Sequence, residues 1–75
     1  MSLKLIHSPI KALVWKVEVE AGQPIEEYDP LIILESMKTE IPVDSSLSGI
    51  VREVLVKEGD SVEENQPLVS IEAAL

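Results

Sequence analysis

The sequence predicts an all-β domain built from two similar halves, and three observations predict it. Apolar residues come in short runs rich in Val, Ile and Leu, cut by Gly- and Pro-containing turns. No stretch sustains the 3.6-residue apolar period of a helix. The chain also repeats itself at a spacing of 37 residues. When residues 12–35 are laid on 49–72, nine of the 24 pairs are identical: Val14/Val51, Val17/Val54, Val19/Val56, Gly22/Gly59, Glu26/Glu63, Glu27/Glu64, Pro30/Pro67, Leu31/Leu68 and Glu35/Glu72. Composition alone accounts for roughly one or two. Ile25/Val62, Ile32/Val69 and Leu34/Ile71 are matched apolar pairs besides. Each half therefore reads strand, Gly turn, short acidic strand, Pro, strand. Neither half can bury its own apolar face. Two halves facing each other can, as a sandwich or flattened barrel.

Taken in order, Lys4 to Ser8 is a short strand stopped by Ser8-Pro9. Residues 12–19 form a second strand, with Trp15, Val17 and Val19 expected on one face and Lys16 and Glu18 on the other. Ala21-Gly22-Gln23-Pro24 is turn chemistry, with Gly22 free to take positive φ. Ile25 anchors a very short strand, and Glu26, Glu27 and Asp29 stay at the surface. Pro30 opens the next strand, where its missing N–H costs least. Two strands near 31–36 and 39–44 make a hairpin. After a loop at 44–49, Ile50 to Val56 is a strand expected to put Ile50, Val54 and Val56 on one face. Glu58-Gly59-Asp60-Ser61 is a second Gly turn, Val62 a second short strand, and Leu68 to Ile71 the last.

Seventy-five residues make one small domain, expected over residues 1–75. No Cys is present, so no disulfide or thiolate metal site supports the fold. Phe is absent and Trp15 and Tyr28 are the only aromatics, which leaves aliphatic packing to make the core. The formal net charge of -8 speaks against a nucleic-acid partner, which needs clustered Lys and Arg. It favours steering toward basic protein surfaces. No apolar run approaches the roughly 18 residues of a membrane span, and no signal-peptide core is visible. No membrane partner and a soluble cytoplasmic protein are expected.

The centre of the chain reads Leu31-Ile32-Ile33-Leu34-Glu35-Ser36-Met37-Lys38-Thr39-Glu40-Ile41-Pro42-Val43, with 37 residues on either side of Lys38. β-Branched residues flank a short polar break, so a hairpin turn should present Lys38 to solvent on a tip held by two strands. No Asn-Gly or Asp-Gly sets the turn type. His7 is the only histidine and carries no assigned role. The pairs Glu26/Glu27 and Glu63/Glu64 recur at equivalent positions, as surface charge rather than general acid and base.

Glu35-Ser36-Met37-Lys38 resembles the Glu-Ala-Met-Lys motif of the biotinyl/lipoyl attachment domains, in the biotin carboxyl carrier type of biotin-dependent carboxylases. The likeness covers roughly residues 5–72 and includes Gly22, Gly49, Gly59, Pro30-Leu31 and Pro67-Leu68. It implies a flattened β-barrel or sandwich of two four-stranded antiparallel sheets with quasi-twofold symmetry. It also implies that Lys38 is the biotinylation site, with biotin covalent on its side-chain nitrogen. Glu35, Ser36, Met37 and Thr39 then complete the attachment motif. The implied partners are a biotin protein ligase and the biotin carboxylase and carboxyltransferase subunits. Thr39 stands where the family often has Met, and Ala12 where many members have Gly. The thumb insertion of some bacterial acetyl-CoA carboxylase carriers is not seen.

The chemistry implied at Lys38 is intelligible from the residues. A free lysine amine is mostly protonated at neutral pH and must be neutral to attack an activated acyl group. The modifying enzyme can supply a base, while the hairpin supplies access and a fixed position. A long arm on a rigid tip then visits two active sites in turn. No catalytic residue and no metal site are expected, so the resemblance implies a non-catalytic carrier of carboxybiotin. A lipoyl carrier of a 2-oxo acid dehydrogenase complex is the alternative. Lipoyl domains usually have Asp before the lysine, and Met37 favours biotin. An unmodified binding module is a third, weaker reading.

Overall fold

Alternating aliphatic runs fold into eight strands in the computed structural model, which describes residues 2–74; the ends of the expected 1–75 domain, residues 1 and 75, lie outside the described residues. The strands are β1 (Leu3–His7), β2 (Ala12–Val17), β3 (Pro24–Ile25), β4 (Pro30–Ser36), β5 (Thr39–Asp44), β6 (Gly49–Val54), β7 (Ser61–Val62) and β8 (Pro67–Ala73). They form two four-stranded antiparallel sheets, ordered β1-β8-β6-β3 and β5-β4-β2-β7. Each sheet takes its two central strands from one half of the chain and its two edges from the other. The halves are interleaved, so neither closes a core alone. Among the described residues no helix is long and apolar enough to cross a membrane.

The repeat builds the core directly. Ile6/Val43, Val14/Val51, Val19/Val56, Ile25/Val62, Leu31/Leu68, Ile32/Val69 and Leu34/Ile71 are all buried, each one repeat from its mate. The equivalence extends beyond residues 12–35 to β1 and β5 and to the buried Ser8 and Ser45. Ser8 Oγ donates to the Ile10 carbonyl at 2.6 Å, and Ser45 Oγ donates to the Leu47 carbonyl. Gly22 and Gly59 have φ of 91° and 94°, as the sequence requires of both turns. Each turn crosses to the other half: Gly22 N donates to Val51 O at 2.7 Å, and Gly59 N to Val14 O at 2.8 Å.

Two expected faces need correction. Trp15 is exposed, and the residues facing inward on β2 are Ala12 and Val14, followed by Val17 and Val19. The register slips between Val14 and Lys16, which leaves Trp15 without a partner on β4. This β-bulge turns the alternation over by one residue. β6 repeats the slip between Val51 and Glu53, so Val51 is buried and Ile50 is 45% exposed. The β2 and β6 ladders also end at Val17 and Val54, two residues before the expected ends.

Gly49 and Ala12 are equivalent, yet only one tolerates a methyl. A Cβ on Gly49 would collide with the backbone oxygen of Glu72, because β6 pairs with β8 as far as Ala73. β2 pairs with β4 only as far as Leu13↔Glu35, one rung short of the Gly49↔Ala73 pairing, and Ala12 is buried there with its methyl.

Candidate functional site

β4 is anchored by Leu31, Ile32 and Leu34, all fully buried. That anchoring fixes the hairpin it forms with β5, whose register runs from Pro30↔Asp44 to Ser36↔Thr39. Met37 and Lys38 are the two residues left to make the turn. Both have positive φ, 51° and 66°. Positive φ at both central positions is the signature of a type I′ turn, whose twist matches that of the flanking strands. The turn type that the residues alone left open is thereby settled.

Neither Met nor Lys is a favoured residue in this conformation. Asn and Gly are, and each ordinary side chain forced into it costs about 1–2 kcal/mol. Two such residues on an exposed tip point to a role other than folding. Met37 is 94% exposed and Lys38 is exposed beside it. Thr39 is exposed, and Glu35 and Ser36 are half-buried at the end of β4. The structure thus brings the five sequence-identified residues to one tip. It adds Glu40, directly across the ladder from Glu35.

The molecule measures 38 × 17 × 17 Å. At the base of the hairpin, Tyr28 N donates to Ser45 O at 2.8 Å. There Ser48 Oγ also accepts from Glu27 N at 3.2 Å, and Ser48 O accepts from Ala74 N at 3.0 Å. The ends of β1 and β8, joined by Ala73 N to Ser2 O at 3.0 Å, therefore share the base end. Lys38 lies about 20 Å away along β4 at the usual strand rise. The apolar concavity lined by Ile25, Gly49, Ile50 and Ala73 is at the base as well. Lys38 itself is exposed.

The chain matches the family model described as Biotin-requiring enzyme over residues 4–71. The Biotin/lipoyl attachment protein of Bacillus subtilis is 54% identical over 37 residues, which is 49% of this chain and 51% of that protein. The Biotinylated protein TB7.3 homolog of Mycobacterium leprae is 44% identical over 45 residues, 60% of this chain and 63% of the relative. This chain thus spans about half to two thirds of the length of those two relatives. Among solved structures, the urea carboxylase of Kluyveromyces lactis superposes with a TM-score of 0.89 at 35% identity, over 96% of this chain and 6% of that one. A single-chain, multi-domain long-chain acyl-CoA carboxylase also gives 0.89, at 22% identity, and shares the fold.

Proposed function

This chain belongs to the biotin/lipoyl attachment family, and on that premise we propose that it is a single biotin carboxyl carrier domain, residues 1–75, with biotin held covalently on Lys38. The observation that carries the reading is the strained, exposed Met37-Lys38 turn at the tip of a hairpin pinned by Leu31, Ile32 and Leu34. The tip fits an attached arm, because Lys38 is exposed and Met37 is almost wholly free. Met37, where lipoyl domains usually have Asp, favours biotin over lipoate.

In attachment, the neutral amine of Lys38 attacks an activated biotinyl donor bound to a biotin protein ligase. A C–N amide bond forms, the donor's leaving group departs, and the amine's proton passes to the ligase or to solvent. Glu35, Ser36, Met37 and Thr39 are the surface read around the amine. Bound biotin supplies a nitrogen that accepts and gives up a carboxyl group. The chain's own part is to hold the arm's root rigid and accessible while it travels between biotin carboxylase and carboxyltransferase sites. That role places no catalytic residue on this chain. Its acidic surface suits encounter with basic partner surfaces.

Incubating the purified domain with a biotin protein ligase, biotin and ATP tests the reading. Peptide mass spectrometry should find one biotinyl adduct, on Lys38. An adduct on Lys16 or Lys57 instead would overturn it. Lipoylation of Lys38 under matched conditions, with no biotin taken up, would assign the chain to the lipoyl carriers.

A further inference from the structure

The quasi-twofold allows the outer faces of the two sheets to be compared position by position. On the β1-β8-β6-β3 face, Glu72 is satisfied within the chain: Arg52, the bulge residue of β6, reaches its carboxylate at 2.8 Å. Across the ladders Glu72 meets Leu3 and Ile50, both apolar. The equivalents on the tip-bearing face are Glu35, Trp15, Glu40 and Leu13. Trp15 replaces the arginine, so Glu35 loses its internal cation. Glu40 replaces the leucine, so a second carboxylate stands directly opposite Glu35. Like charges facing across an antiparallel pair are unfavourable. Among the described residues the ion pairs are Lys11–Glu63 and Arg52–Glu72, and neither includes Glu35 or Glu40.

Beside this carboxylate pair lies an apolar face. Leu13, opposite Glu35, is 49% exposed, and Trp15, the chain's only tryptophan, is 44% exposed. Ile33 and Pro42 continue the face, paired with each other across β4 and β5. Lys16, opposite Ile33 on β2, shares the face, and its Nζ sits 5.3 Å from the centre of the Trp15 ring, so one side of the ring already holds a cation. On this face the Glu35↔Glu40 pair stands between Ile33↔Pro42 and the Lys38 turn, with Ser36↔Thr39 the last rung before it.

We propose that the outer face of the β5-β4-β2-β7 sheet, formed by Leu13, Trp15, Ile33, Pro42 and Glu40, is the surface on which the biotin protein ligase seats itself. This rests on the reading of Lys38 as the attachment residue. The ligase surface that fits is an apolar patch with an Arg or Lys at its edge. The cation enters between Glu35 and Glu40, in the role Arg52 plays for Glu72 on the other sheet. The apolar patch covers Leu13 and Trp15. Burying a half-exposed tryptophan and leucine supplies affinity, and the carboxylate pair orients the approach. The net charge of -8 complements a basic edge.

The test is steady-state biotinylation of the full chain by a purified biotin protein ligase with biotin and ATP, at varied carrier concentration and ionic strength. Trp15→Arg gives the face the residue its opposite number carries and lets Glu35 pair internally. Glu40→Leu removes the facing carboxylate, and Leu13→Ser removes apolar contact without touching the charge pair. Each should raise the KM for carrier about fivefold or more while kcat stays within about twofold, the pattern of a lost docking contact. The wild-type KM should rise with salt, and Glu40→Leu should flatten that dependence. Trp15→Arg should melt no lower than wild type, and Ile50→Ser and Leu5→Ser on the opposite sheet should leave KM unmoved. Modification of wild-type Lys38 with unchanged KM in Trp15→Arg, Glu40→Leu and Leu13→Ser overturns the docking surface alone. Failure of wild-type Lys38 to be labelled overturns the attachment reading and the docking surface with it.

Discussion

Tyr28 and Asn65 occupy the same place in the two halves and share a backbone conformation, with φ of 76° and 68°. Each closes a turn in which the amide two residues earlier is capped by the side chain at the turn's end: Glu26 N by Asp29 at 2.8 Å, and Glu63 N by Gln66 at 2.9 Å. Asn tolerates this region and a bulky residue does not. Tyr28 is 75% exposed, so little packing is lost on its removal. Tyr28→Asn should therefore stabilise the domain by about 0.5–1 kcal/mol, part of the usual cost of a left-handed non-Gly residue. A raised midpoint in chemical denaturation checks it.

Gly22→Ala and Gly59→Ala should each destabilise by more than about 1 kcal/mol, because alanine is strained at positive φ. A Cβ at either position meets nothing within 4 Å, so the cost is conformational and not steric. The two variants should therefore lose similar amounts. Thermal melts of the pair test that equality.

The strained tip makes a separable prediction. Met37→Asn with Lys38→Gly supplies the residues a type I′ turn prefers and should stabilise by about 1–2 kcal/mol. The same double variant should take up no biotin. Lys38→Arg should leave the fold unchanged and also take up none, since a guanidinium stays charged and is a very poor acyl acceptor. Melting curves beside intact-mass measurement separate the two effects.

Buried hydroxyls hold the two corners that precede β2 and β6. Ser45 Oγ donates to the Leu47 carbonyl and accepts from the Leu47 N–H at 3.2 Å. Ser45→Ala should cost about 1–2 kcal/mol by stranding those groups in a buried corner. Equilibrium unfolding checks the loss, which should leave biotin uptake at Lys38 intact because the corner lies at the hairpin's far end.

The fold class, the two halves, both Gly turns and the β4–β5 hairpin were legible in the residues, for a common reason. Each rests on local chemistry that survives without a partner strand: β-branched runs, glycine at positive φ, proline at a strand start. The hairpin strands expected near 31–36 and 39–44, the first opened by Pro30, are those observed. The inward faces of β2 and β6 were not legible, because period 2 was carried straight through the bulges at Trp15 and Arg52. A signal was present: Val14/Val51, Val17/Val54 and Val19/Val56 are identical across the repeat, and their three-then-two spacing is that of a bulged strand.

By itself, then, the sequence determined a duplicated β unit with a lysine at the link between its halves, since a repeat and a turn-breaking polar stretch are properties of the chain alone. Only the tertiary structure decided which side of each strand is buried and that the turn is type I′. It also decided that Glu35 faces Glu40 while Glu72 pairs with Arg52. Those outcomes depend on strand register, and register is set when one half's strands dock against the other's. A slip of one residue there moves a whole side-chain row from core to solvent.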